Sequence, residues 1–190
     1  ELIAINNATT GTLTLNAESI SADYSGNVAG VKAAFNGITT HTGKIEITGG
    51  TVNVADINTV AGATSGEVTA TVTPGAASIL NVLTTNATDA ITITVTAEAG
   101  AAATQASHLV ALNTHTNKAI TITAVTSVSG SYADLLDVYV TNAAHYTGEG
   151  SEAVTITGGV TATQADEIAD ATSGIVTATI NADTAANLNS

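Results

Sequence analysis

The 190-residue sequence predicts an α/β fold, a right-handed solenoid of strand–short-helix coils with leucine-rich-repeat-like architecture and one parallel sheet. Three observations lead there. A short text of alternating β-branched residues and threonine recurs along the chain. Between its copies the apolar spacing changes from two to three and four. The side chains are also small: aromatics are 3% of the chain, Phe35 is the only phenylalanine, and tryptophan is absent. Without bulky residues to fill a deep centre at crystal-like density, the core must be thin. An all-β parallel β-helix is the alternative. The expected organisation is a single repeat domain over 1–190, of roughly seven or eight β–α units, uncapped at both ends.

The clearest copy is Ile91-Thr92-Ile93-Thr94-Val95-Thr96, the pattern of a strand with one face buried and one open. Related text begins at residues 13, 45, 68, 120, 154 and 176, and residues 3–5 form a candidate eighth copy. Successive starts lie 22 to 34 residues apart, within the range of solenoid units. Helical spacing appears at 28–35, 54–61, 77–83, 106–112, 132–140, 165–169 and 185–188. Asn53, Thr104, Ser131 and Thr163 stand where N-caps are wanted. Pro74 lies ahead of a helix, where its missing N–H costs least. Gly43, Gly66, Gly148 and Gly174 fall between a helix and the next strand.

Two segments are close copies. Ile47-Thr-Gly-Gly50 leads through an Ala-Asp-bearing helix to Ala63-Thr-Ser-Gly66 and Val68-Thr-Ala-Thr71. Ile156-Thr-Gly-Gly159 leads likewise to Ala171-Thr-Ser-Gly174 and Val176-Thr-Ala-Thr179, with one residue fewer between the glycine landmarks. This text resembles the Thr/Ala/Asp-rich tandem repeats of large secreted or cell-surface proteins of cyanobacteria and other aquatic bacteria. The resemblance implies an extracellular, structural or adhesive role and supplies no catalytic residues. The glycine–aspartate calcium nonapeptides of many such proteins have no counterpart here, so calcium dependence does not carry over.

Two candidate sites follow. The outward threonines Thr14, Thr48, Thr69, Thr71, Thr92, Thr94, Thr121, Thr123, Thr155, Thr157, Thr177 and Thr179 would form a ladder, interrupted by Asn16 and Glu46. A flat threonine array could bind ice or a glycan, although β-branched threonine also simply suits an exposed strand face. The turns Thr40-His41-Thr-Gly-Lys44 and Thr114-His115-Thr-Asn-Lys118 match each other, with His145-Tyr-Thr-Gly148 a degenerate third. They could hold an anion or pair with acidic groups of a neighbouring coil; the plainer reading is a repeated turn whose lysine offsets a helix C-terminus. His108 falls within a helix and has no such context.

Asp166, Glu167 and Asp170 cluster on one helix, behind Glu149 and Glu152 in a loop. No EF-hand spacing accompanies them, so a solvated acidic face is expected and no metal or cofactor. There is no Gly-x-Ser-x-Gly elbow and no His-Glu-x-x-His, and neither Gly-Gly pair is followed by Lys-Ser/Thr as in a phosphate loop. An enzyme is not expected. The formal net charge of −13, with three Lys/Arg against sixteen Asp/Glu, repels nucleic acid and anionic membranes. No apolar run is long enough to span a bilayer. Cysteine is absent, so disulfides are impossible. The expected function is an extracellular structural protein: a subunit of a self-assembling filament, or a segment of a large surface or adhesive protein. Its expected partners are further copies of itself, as a homo-oligomer or end-to-end polymer, or flanking repeats of the same chain.

Overall fold

The computed structural model describes residues 2–11 and 13–182. In order the elements are helix α1 (Leu2–Ala8), α2 (Ala17–Ile20), strand β1 (Tyr24–Gly26), α3 (Val28–Phe35), β2 (Ile45–Val52), α4 (Val54–Ala61), β3 (Val68–Val72), β4 (Gly75–Ala76), α5 (Ala77–Leu80), β5 (Ala90–Thr92) and β6 (Thr94–Thr96). There follow β7 (Thr104–Gln105), α6 (Ala106–Asn113), β8 (Ile120–Ile122), β9 (Ser127–Gly130), α7 (Tyr132–Leu136, running on as a π-helical turn, Asp137–Thr141), β10 (Tyr146–Thr147), β11 (Ala153–Val160), α8 (Ala162–Ala171) and β12 (Val176–Ile180).

The class is mixed α/β, but the single-sheet solenoid is overturned. Among the described residues, strands form three separate four-stranded sheets, in the orders β1-β2-β3-β5, β10-β8-β6-β4 and β12-β11-β9-β7, with every pairing parallel. The all-β parallel β-helix is overturned as well, because helices occupy many of the connections. Nor is the chain a tandem-repeat protein: β2–α4–β3 is matched closely by β11–α8–β12, whereas other links, such as β5 to β6, carry no helix. The physical reason is strand length. Within 91–96, Ile91, Ile93 and Val95 are all fully buried, yet pairing breaks at Ile93: β5 joins the first sheet and β6 the second. Alternation of burial survives a bend that keeps the same side inward, so it cannot distinguish one six-residue strand from two shorter ones.

Two compact units result, one of Glu1–Pro74, Val82–Ile93 and Thr114–Lys118, the other of Gly75–Asn81, Thr94–Asn113 and Ala119–Ser190. In the first, Ile45, Ile57, Val60, Val68 and Ile91 form a buried centre between the sheet and α3 and α4. In the second, Leu109, Leu112, Ile120, Leu135, Val154 and Ile168 do the same. Each such side chain contributes about 1.5–3 kcal/mol on leaving water.

Local sequence explains most boundaries. The helix expectations at 28–35 and 54–61 match α3 and α4. Asn53 and Ser131 accept N–H bonds from Asp56 and Asp134, as N-caps do. Thr104 instead lies in β7, and the cap of α8 is Thr161, whose backbone N–H is bonded in return by Gln164. Residues 3–5 are helical rather than extended. Asn6 of α1 donates to the carbonyls of Ala33, Ala34 and Asn36, satisfying the end of α3. Residues 13–16 form no strand, and the helix expected at 185–188 lies outside the described residues.

The close copies share a register. Ile45 pairs with Val68 and Val154 with Val176; then both first strands bulge before Val52 pairs with Val72 and Val160 with Ile180. Gly49, Gly50 and Gly158 sit in these bulges at positive φ, while Gly159 already pairs with Thr179, and the shorter second bulge accounts for the missing residue.

Turn glycines bring backbone against backbone. A Cβ on Gly66 would lie 2.2 Å from the Gly43 oxygen, and one on Gly174 would lie 1.8 Å from the Glu152 oxygen. Gly66→Ala and Gly174→Ala should each lower unfolding free energy by about 2 kcal/mol or more, read as a shifted urea midpoint. Gly37→Ala is the control for backbone strain alone, since its positive φ of 76° faces open space.

Candidate functional site

The matched His/Lys turns do not form a common site. His41 is 1% exposed and lies against Tyr24 and Phe35, with ring centroids 5.3 and 5.0 Å away. Among the described residues neither ring nitrogen meets a partner in good hydrogen-bond geometry, although the Ile20 and Ser19 backbone is near. Burial holds its pKa below the ordinary 6.5, opposed by the backbone of Ile20 and Ser19 and by the charge of Asp23. Lys44 reaches the carboxylate of Glu67 at 2.9 Å, which raises the lysine pKa and lowers that of Glu67. His115 Nδ1 lies 2.6 Å from the Thr85 carbonyl, and the Thr85 hydroxyl donates to the His115 carbonyl at 2.7 Å. Lys118 is exposed. A threonine bonded both ways recurs at three turns, of which the His115 turn is one; in the His41 turn the Lys44 N–H donates to Asp23 instead. Thr64, Thr116 and Thr172 each accept the N–H two residues on, from Gly66, Lys118 and Gly174. Each also donates to a carbonyl of the preceding turn or strand: Gly43, Ile91 and Gly150.

The twelve threonines are divided among sheets and loops. In the first sheet Thr51, Thr71 and Thr92 are exposed and in register. Thr69 pairs with Glu46 and Ala90, and Thr48 falls in the bulge of β2. In the second, Thr94, Thr121 and Thr147 align, with the last two hydroxyls 3.4 Å apart. In the third, Thr155 pairs with Thr177, Thr179 pairs with Gly159, and Thr157 occupies the bulge of β11. Thr14 and Thr123 lie outside the strands. Thr51 and Thr147 were missed because the strand text does not mark them: one follows a Gly-Gly bulge and the other belongs to a two-residue strand.

The acidic residues also separate. Asp166, Glu167 and Asp170 are exposed, and Glu167 accepts the Tyr132 hydroxyl. Glu152 is 3% exposed; its carboxylate accepts N–H bonds from Gly150 at 2.7 Å and Ser151 at 3.1 Å, and the Tyr139 hydroxyl at 3.5 Å. Burial, with the carboxylates of Glu152 and Glu149, pushes the Tyr139 hydroxyl well above its usual range. Among the described residues no group of three or more His, Asp and Glu is arranged to hold a metal. Asp89 does similar structural work, unforeseen from the sequence: its carboxylate accepts the N–H groups of Val68 at 2.7 Å and Asn86 at 2.9 Å. The available signal was an aspartate directly ahead of strand text.

The surface feature with most potential for recognition lies at β12. Its Val176, Ala178 and Ile180, with Ala165, Asp166 and Ala169 of α8, line an open groove. Val176 and Ala178 are half-buried and Ile180 is 39% exposed, whereas the matching Val68, Ala70 and Val72 are 1–3% exposed.

The chain matches no family model, no curated protein and no solved structure. Among the described residues no helix is long and apolar enough to cross a membrane.

The buried His41 gives a pH dependence of known sign. Its native pKa lies below the unfolded value, so below about pH 6.5 the unfolded chain binds more protons, and stability falls as pH drops through that range. His41→Phe should remove this component. Urea unfolding at pH 7.5 and 5.5 should show a loss smaller than that of wild type by up to about 1 kcal/mol.

Proposed function

We propose that the chain is an extracellular structural protein, a self-assembling subunit or a segment of a large surface protein, that acts through association rather than catalysis. The single observation behind this reading is the outer edge of β12. Its partly apolar strand leaves Ile180 39% exposed and is flanked by Ile175 at 78%, and among the described residues no strand pairs with it on that side. An exposed apolar sheet edge is a template for another strand. Composition agrees. A chain with three cations and sixteen carboxylates presents a solvated surface with little attraction for phosphate. The candidate chemistry also points away from a reaction centre, since His41 is enclosed by rings and Glu152 holds a turn. The resemblance of the duplicated unit to repeats of bacterial secreted and surface proteins supports an extracellular placement.

A second reading, a module binding ice or glycan, has one observation in its favour: Thr51, Thr71 and Thr92 are exposed side by side. Each such row is short, which limits the area it could match.

Sedimentation of the purified chain over a wide concentration range, with electron microscopy of the same samples, tests the first reading. Large species that grow with concentration are the expected outcome. A monodisperse monomer at the highest concentration would overturn self-assembly. Thermal hysteresis above that of a buffer control would favour the second reading.

A further inference from the structure

We propose that the outer edge of β12, with the adjoining face of α8, docks an extended polypeptide segment of defined chemistry. The segment pairs parallel to β12, carries a carboxylate just ahead of an apolar–threonine strand, and brings a Lys or Arg to Asp166. The proposal rests on the structural reading above and names the partner that the association requires.

The duplicated unit identifies this occupant. In the first copy the outer edge of β3 is covered by residues 82–92. Ala70 pairs with Ile91 and Thr71 with Thr92. Asp89 accepts the Val68 N–H at 2.7 Å. On α4, Asn58 accepts the Thr84 N–H at 2.8 Å and donates to the Val82 carbonyl at 2.9 Å. The second copy repeats the strand, bulge, helix and register as far as β12, whose outer edge no strand among the described residues pairs with.

The backbone groups on offer follow from the pairing with β11. Val154 N–H donates to Ile175 O and Asn181 N–H to Val160 O, both at 2.8 Å. Backbone groups alternate sides along a strand, so those of Val176, Ala178 and Ile180 face outward. Val176 stands where Val68 meets Asp89, which is why the incoming segment needs a carboxylate at that point. The register shared with β3 continues the existing β11–β12 interface by one strand.

The differences between the copies set specificity. Ala165 stands where α4 has Ile57, leaving space beside Val176 and Ala178 for an apolar side chain of the partner. Asp166 stands where α4 has Asn58. A carboxylate there still accepts an N–H, but it repels a carbonyl such as that of Val82. Asp170 is also on α8, and the chain as a whole carries −13, so a cationic side chain is the complementary group.

The test titrates the isotope-labelled full chain with a synthetic peptide of residues 82–93, and with the same peptide carrying Thr84→Lys. Saturable amide shifts centred on Val176, Ala178 and Ile180 are expected. The Thr84→Lys peptide should bind several-fold tighter at low salt, with the advantage lost at high salt. Asp89→Asn in the peptide should weaken binding about tenfold. In the chain, Ala178→Pro removes an outward N–H without touching the bonds to β11, and binding should disappear. Asp166→Asn should erase the preference for the lysine peptide while the chain stays folded, and it decides the matter if the proline variant does not fold. Shifts absent at millimolar peptide, shifts centred elsewhere, or a lysine preference that survives Asp166→Asn would overturn the docking site. A chain that binds the peptide yet sediments as a monomer keeps the site and loses self-assembly. One that assembles equally well with Ala178→Pro loses the site alone.

Discussion

The constraint on which both units depend is the close approach of successive turns. Carbonyl oxygens of one turn lie where a side chain of the next would begin: Gly43 against Ala22, Gly66 against Gly43, Gly148 against Ile122 and Gly174 against Glu152. Strands a few residues long cannot set their own spacing with so few ladder bonds. The turns set it, through glycine that permits contact and threonine that bonds both ways. Thr64 and Thr172 each accept an N–H in their own turn and donate to the previous one. Buried carboxylates complete the arrangement where a backbone donor would otherwise be stranded, as Asp89 does for Val68 and Glu152 does for Gly150. An unpaired buried N–H costs about 1–3 kcal/mol, so each of these acids matters more to the fold than the exposed Asp166 or Asp170.

This explains which parts of the architecture were legible in the sequence. The residues that face inward could be read from alternation: Ile45, Val68, Ile91, Ile120 and Val154 are all buried. The helices α3 and α4 could be read from period and cap. The number of sheets could not, because the bend at Ile93 preserves alternation while transferring the chain from one sheet to another. Pairing depends on where backbone groups find partners, and that information lies in turns of Thr, Gly and Asp rather than in strand text. The helix at Leu2–Ala8 was misread for a related reason. Ile3 and Ile5 mimic alternation, but Asn6 secures a helix by bonding the end of α3.

The candidate sites divided along the same line. Matched text at His41 and His115 implied matched roles, yet one ring is enclosed by Tyr24 and Phe35 and the other bonds Thr85. What the two turns share is the threonine after each histidine, whose hydroxyl donates to a carbonyl: Thr42 to Ile20 and Thr116 to Ile91. The threonine ladder was legible as an exposed face but not as a lattice. Bulges at Gly49-Gly50 and Gly158 displace Thr48 and Thr157 from register and bring Thr51 into it.

The most informative comparison lies within the chain itself. β3 and β12 share their text, their bulged neighbour and their register, so their surroundings differ for reasons outside that shared text. Where β3 is covered, its apolar residues fall to 1–3% exposure; β12 leaves Ile180 at 39%. Had the second copy been adapted to a lone sheet edge, its inward row would carry a charge, a proline or a short strand, the usual protections. It keeps Val176, Ala178 and Ile180 instead, and places its charge one layer away at Asp166. Charge beside an apolar edge, rather than on it, leaves pairing possible and restricts which segment can pair. That is the arrangement of a selective edge, and it favours a segment able to meet Asp166 with a cation over one that offers a carbonyl there.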